Sequence, residues 1–182
     1  MNYSLSWLQN QIEQGVEVDY LFFWGHTQKQ EGVIDKSCFS QWFPSAFTVD
    51  GITYKTAEHW MMAKKALLFN DKEIFGKIIV AEKPAIAKAL GREIKNFNPQ
   101  IWNSAAFSIV ADGNKHKFSQ HNALKKYLLT TGDKILVEAS PSDAVWGIGL
   151  ARDSIEARDP FKWRGTNLLG FALMEVREVL KQ

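Results

Sequence analysis

Apolar residues recur at helical spacing in the first stretch of the chain, where Leu5, Leu8 and Ile12 fall within residues 4–14 and Gly15 follows. That spacing predicts a short amphipathic helix closed by glycine. Residues 19–25 are short and dense in aromatics, the pattern of a buried strand, and residues 25–41 read as a loop. The runs 47–49 and 52–54 flank Asp50-Gly51, a dipeptide that accepts the positive φ angles of a tight two-residue turn, so a hairpin is predicted near residues 47–54. Thr56 follows as an N-cap, and residues 57–69 hold no Gly or Pro and are rich in Ala, Met, Leu and Lys, all good helix formers. Further along, Asp71 caps a third helix, Pro84 opens a fourth that Gly91 stops, and Asn98-Pro99 opens a long one through about residue 118. Residues 122–131 continue in helix to Gly132, residues 135–139 form a strand, 140–167 a long loop, and 168–180 a closing helix. Helices outnumber strands and do not alternate with them, so the fold class is α+β, predominantly helical, with a few short strands.

Composition narrows this picture without changing it. With 182 residues, 46% hydrophobic and 23% charged, the chain reads as one globular domain over residues 1–182, in which 1–18 form an N-terminal helical extension. Twenty-two basic against 20 acidic residues leave a net charge of +2, too small to announce nucleic acid or a membrane surface as partner. The longest run without a polar residue or Gly is residues 20–24, far short of a membrane span. Cys38 is the single cysteine, so no internal disulfide forms and no thiolate set for zinc exists; this reads as a cytoplasmic protein. The aromatic content, 13% with seven Trp, is mostly accounted for by core packing, whereas rings in loops beside Gly or charge call for another account.

Four places carry candidate chemistry. Glu58 sits at the second position of the 57–69 helix, where an acid complements the helix dipole; Lys65 lies two turns on, so both project from one face with Met61 or Met62 between them. Asp143, Trp146 and Gly147 follow the 135–139 strand and combine an acid, a flat indole and a glycine that lets a ligand approach backbone N–H groups, or else form a tight turn whose Trp packs inward. Asn167 stands directly before the last helix, where it either caps the helix or leaves N–H groups for a phosphate. Gly91-Arg92 presents a guanidinium fork suited to phosphate. The histidines His26, His59, His116 and His121 have no metal-ligand spacing, and neither a nucleophile elbow nor a Walker loop occurs. Residues alone thus reach a site for a small molecule or nucleotide, with no metal and no cofactor.

Taken in order, several blocks resemble the NADAR superfamily and, within it, the YbiA-like N-glycosidases. They are Phe22-Phe23-Trp24, Phe39-Ser40-Gln41-Trp42, Thr56-Ala57-Glu58-His59-Trp60, Leu90-Gly91-Arg92, His116-Lys117-Phe118, Asp143-Ala144-Val145-Trp146-Gly147 and Gly165-Thr166-Asn167-Leu168. The first two depart from the family's usual pattern, which has Ser-Asn-Phe where this chain has Ser40-Gln41-Trp42. The resemblance implies a metal-independent N-glycosidase hydrolysing the bond between ribose C1′ and a nitrogen. Its substrates would be ribosylamino-pyrimidine phosphates of riboflavin biosynthesis or, alternatively, ADP-ribose attached to a nucleobase; a module that binds such nucleotides without cleaving them is the other alternative. A phosphorylated ribosyl small molecule is then the partner, and ADP-ribosylated nucleic acid a further one. Glu58 and Asp143 are the candidate catalytic carboxylates, Glu58 favoured at the sugar, with a second acid or Lys65 to provide a proton or hydrogen bond to the departing nitrogen. Trp146 and Trp24 would hold the base, and Arg92, Lys117, Gly147 and Asn167 would receive base and phosphate.

Overall fold

The computed structural model describes residues 2–181, in which seven α-helices and four short strands follow one another. They divide into two compact units, one of residues 41–122 and one of residues 1–40 with 123–182.

In the 1–40 and 123–182 unit, α1 (Leu5–Glu13) starts where the Ser4 hydroxyl accepts from the Trp7 N–H, and ends before Gly15 at φ +80°. Strand β1 (Tyr20–Phe23) pairs in parallel with β4 (Ile135–Glu138), Tyr20 opposite Ile135 and Phe23 opposite Glu138. β1 is only half-buried apart from Phe23, so its aromatic density does not mark a strand covered on both faces. Ile135 and Ala139 donate to Asp19 and Phe23, which turns the carbonyl of Leu136 and the N–H of Glu138 to the opposite edge of β4. The buried face of α7 (Leu168–Lys181) packs against β4. The helix α6 (Asn122–Thr130) precedes β4, and Gly132 at φ +56° turns the chain between them. Two segments expected as plain loop each contain one 3-10 turn: Lys36–Phe39, capped by Asp35, and Ile155–Arg158, capped by Ser154.

In the 41–122 unit the hairpin of β2 (Phe47–Val49) and β3 (Ile52–Tyr54) turns through Asp50 and Gly51, both at positive φ as the dipeptide foretold. It leads into α2 (Ala57–Leu68), capped by Thr56, whose hydroxyl accepts from the His59 N–H. Eight of the twelve α2 residues are buried, which makes it the central element of the unit. Helices α3 (Lys72–Val80), α4 (Pro84–Leu90) and α5 (Pro99–Gln120) pack around it. Caps fall on the foreseen residues, with Asp71 accepting from Ile74 and Asn98 from Gln100 and Ile101. Gly91 does end α4, but in a right-handed conformation. Glycine is needed there for another reason: a Cβ would stand 2.1 Å from Met62 Sδ.

Candidate active site

The first turn of α2 places a carboxylate almost out of water. Glu58 is 5% exposed, although an acid that merely complements a helix dipole does so equally well in solvent. Its N–H, one of the first four that have no acceptor inside the helix, donates to the carbonyl of Gln41 at 3.0 Å. The neighbouring ring of Trp42, half-buried, lies with the ammonium of Lys88 5.9 Å from its centroid. One turn along α2 from Glu58, Met62 meets Gly91, so the α4 terminus and Arg92 are brought against the same helix.

Lys65 lies two turns, about 10 Å, beyond Glu58. Its Nζ donates to the Gly91 carbonyl at 2.8 Å and stands 4.3 Å from the centre of Phe97 and 5.5 Å from that of Trp102. Burial holds its ammonium below the usual lysine range, and the nearby Arg92 pushes it the same way. Lys65 and exposed Arg92 therefore form a pair of like charges. Lys117, foreseen as a phosphate ligand, is instead 0% exposed, its Nζ 5.7 Å from the ring of Phe43 and 5.2 Å from that of Phe118.

In the other unit, Asp143 Oδ1 accepts from the N–H groups of Val145 and Trp146 at 2.9 and 2.8 Å, so its carboxylate builds the turn that carries the indole. The Trp146 ring is half-buried and Trp24 is 62% exposed. Gly147 is a packing glycine, since a Cβ there would come 2.8 Å from the carbonyl of Glu138. Asn167 departs furthest from expectation. At φ +54° its side chain lies between Gly170 of α7 and the strand: Oδ1 accepts from Glu138 N at 2.9 Å and Nδ2 donates to Leu136 O at 2.9 Å, pairing the free edge of β4. The N–H groups of residues 166–169, where a phosphate was foreseen, donate to the carbonyls of residues 144–147. A groove of about 410 Å³ in this unit, lined by residues including Trp7, Val18 and Lys134, contains none of the candidate residues.

Residues that the chain pattern did not single out on their own are Gln41, Trp42, Lys88 and Asn114. The first two lay inside a recognisable block, Phe39-Ser40-Gln41-Trp42, whereas Lys88 is an ordinary helix-surface lysine in sequence. Asn114 carried one signal, a poor helix former inside a long helix.

His59, next to Glu58, is structural. It is 0% exposed; Nε2 donates to the Ala81 carbonyl at 3.2 Å, which leaves Nδ1 to accept from the Thr56 hydroxyl at 2.8 Å. Burial pushes the His59 imidazole below its ordinary range. The unfolded chain then takes up the proton first, near the ordinary histidine value of about 6.5. Stability is full above that pH and is lost as pH falls from there through the depressed folded value. Urea midpoints should accordingly decline from pH 7 to pH 5 in the native chain, and His59→Gln should flatten that slope; an equal slope in both would place the titration elsewhere.

The structure is a mostly helical α+β fold that holds the Glu58 carboxylate almost out of water at the start of α2. Residues 22–181 match the NADAR domain model, and the chain belongs to that family. It is 48% identical over 168 residues to the N-glycosidase R617 of Acanthamoeba polyphaga mimivirus, covering 90% of this chain and 97% of that protein. It is 33% identical over 146 residues to the N-glycosidase YbiA of Escherichia coli, covering 80% and 81%. The NMR structure of the E. coli protein YbiA superposes with a TM-score of 0.72 at 29% identity, over 91% of this chain and 88% of that one. Among the described residues no helix is long and apolar enough to cross a membrane, and no three His, Cys, Asp or Glu side chains gather as metal ligands.

Proposed function

We propose that this chain, an N-glycosidase like its relatives in the family, hydrolyses the bond between C1′ of a phosphorylated ribose and the nitrogen of a pyrimidine-type base, with Glu58 as the catalytic carboxylate. The observation that carries the reading is the burial of Glu58 at the start of α2. As the C1′–N bond breaks, positive charge develops on the sugar ring, and a carboxylate in a water-poor setting stabilises it far better than one in solvent. Water adds its oxygen to C1′; its proton passes through Glu58 to the departing nitrogen, so the products are a ribose phosphate and the free base.

Arg92 and Lys65 are assigned to the phosphate. Lys65 lies two turns along α2 from Glu58, and Arg92 follows the Gly91 that meets Met62 and accepts from Lys65, so two cations are grouped on the same helix as the carboxylate. Trp42, next in the chain to the Gln41 whose carbonyl accepts from the Glu58 N–H, offers a ring for the base. Asp143, engaged in its turn, is assigned to holding the Trp146 loop. The lone buried Cys38 fits a reducing cytoplasm.

A screen decides the substrate class. Ribosylamino-pyrimidine phosphate, its dephosphorylated form and ADP-ribosylated guanosine are each incubated with the protein and the products separated by chromatography. Turnover of the first well above the second is expected. Equal turnover would remove Arg92 and Lys65 from recognition, turnover of the third alone would move the substrate to ADP-ribosylated bases, and binding of all without cleavage would overturn hydrolysis.

A further inference from the structure

The side chains of Gln41 and Asn114 form a buried amide pair whose hydrogen bonding is incomplete in a directed way. Asn114 Nδ2 spends both hydrogens, on Gln41 Oε1 at 2.8 Å and on Val110 O at 2.9 Å. This fixes which way each amide faces, because only an oxygen of Gln41 can meet a donating Nδ2. Left over are Gln41 Nε2 and Asn114 Oδ1, both shut away from solvent without a hydrogen-bond partner, on residues 9% and 0% exposed. Buried polar atoms in that condition are costly, and leucines at both places together would fill a similar volume without the penalty. A polar pair retained against the stability of its own fold calls for another account.

The connectivity supplies one. The carbonyl of Gln41 is the acceptor for the Glu58 N–H, so whatever fixes residue 41 fixes the start of α2. The side chain of the same residue is pinned to the middle of α5, the longest helix, by Asn114. Two successive hydrogen bonds therefore run from α5 through Gln41 to the backbone of Glu58. We infer that Gln41 and Asn114 are positioning residues for Glu58, holding its carboxylate at the distance from C1′ that turnover needs. This rests on Glu58 being the catalytic carboxylate, and the test separates the two claims.

Gln41→Leu, Asn114→Leu and the double variant are compared with Glu58→Gln in melting temperature, kcat and KM. Misplacing a catalytic group by about 1 Å costs on the order of 100-fold in rate. Each single leucine variant should lower kcat by about 10- to 100-fold with KM changed by less than about threefold. The double variant should be no slower than the slower single, because the pair acts as a unit, while melting at or above the native temperature. Wild-type kcat in the folded double variant, with Glu58→Gln inactive, would overturn the positioning role and leave the Glu58 reading standing. Multiplying losses in the double variant would also overturn it. An active Glu58→Gln would instead remove the reading on which the pair depends. Should the double variant not fold, Gln41→Leu alone decides by the same split between kcat and KM.

Discussion

Glu58→Gln should lower kcat by about 100- to 1,000-fold while the protein melts within a few degrees of the native chain. The amide keeps the size of the side chain and its place in the first turn of α2, so the Glu58 N–H to Gln41 bond survives. What disappears is the negative charge facing a sugar that becomes cationic in the transition state. Because that charge develops only as C1′–N breaks, KM should change much less than kcat. Asp143→Asn is the natural comparison. Its remaining oxygen still accepts from Val145 and Trp146, so its turnover should stay within about tenfold of wild type. Equal, deep losses in both variants would assign catalysis to both carboxylates.

Asn167→Ala should be the most damaging of the candidate-site substitutions to stability, by about 3–5 kcal/mol in chemical denaturation. Two buried backbone groups lose their partners at once, Glu138 N and Leu136 O, and alanine must then hold a φ of +54° that asparagine tolerates better. A phosphate-binding Asn167 would give the opposite pattern, with little change in stability and a raised KM for phosphorylated substrate. Denaturation midpoints and Michaelis constants on the same preparation separate the two.

Much of the fold was legible because it is written locally. Ser4, Thr56, Asp71 and Asn98 are N-caps that lie within three residues of the N–H groups they accept from, and Asp50-Gly51 needs only its own φ angles to make the hairpin. Glu58 stands at a definable helical position where position alone favours an ordinary dipole-facing acid; only the family resemblance singled it out as catalytic, and its burial shows only in the folded chain. What escaped was long-range. Asn167 reads as a cap because it precedes a helix, yet its side chain serves a strand 29 and 31 residues earlier. Lys117 was expected at phosphate through the resemblance alone, but its turn of α5 faces the ring of Phe43, far away in sequence. The Gln41–Asn114 bond spans 73 residues and leaves no periodicity at either end. Side chains that close tertiary hydrogen bonds carry no spacing signature, so such roles become visible only once the chain is folded.

The most direct test is a phosphorus and proton NMR time course of the native protein with ribosylamino-pyrimidine phosphate. Loss of the C1′–N linkage should proceed with equimolar appearance of ribose 5-phosphate and free aminopyrimidine, and Glu58→Gln should leave the substrate intact over the same period. Release of inorganic phosphate with the C1′–N bond preserved, or equal cleavage by Glu58→Gln, would contradict the account.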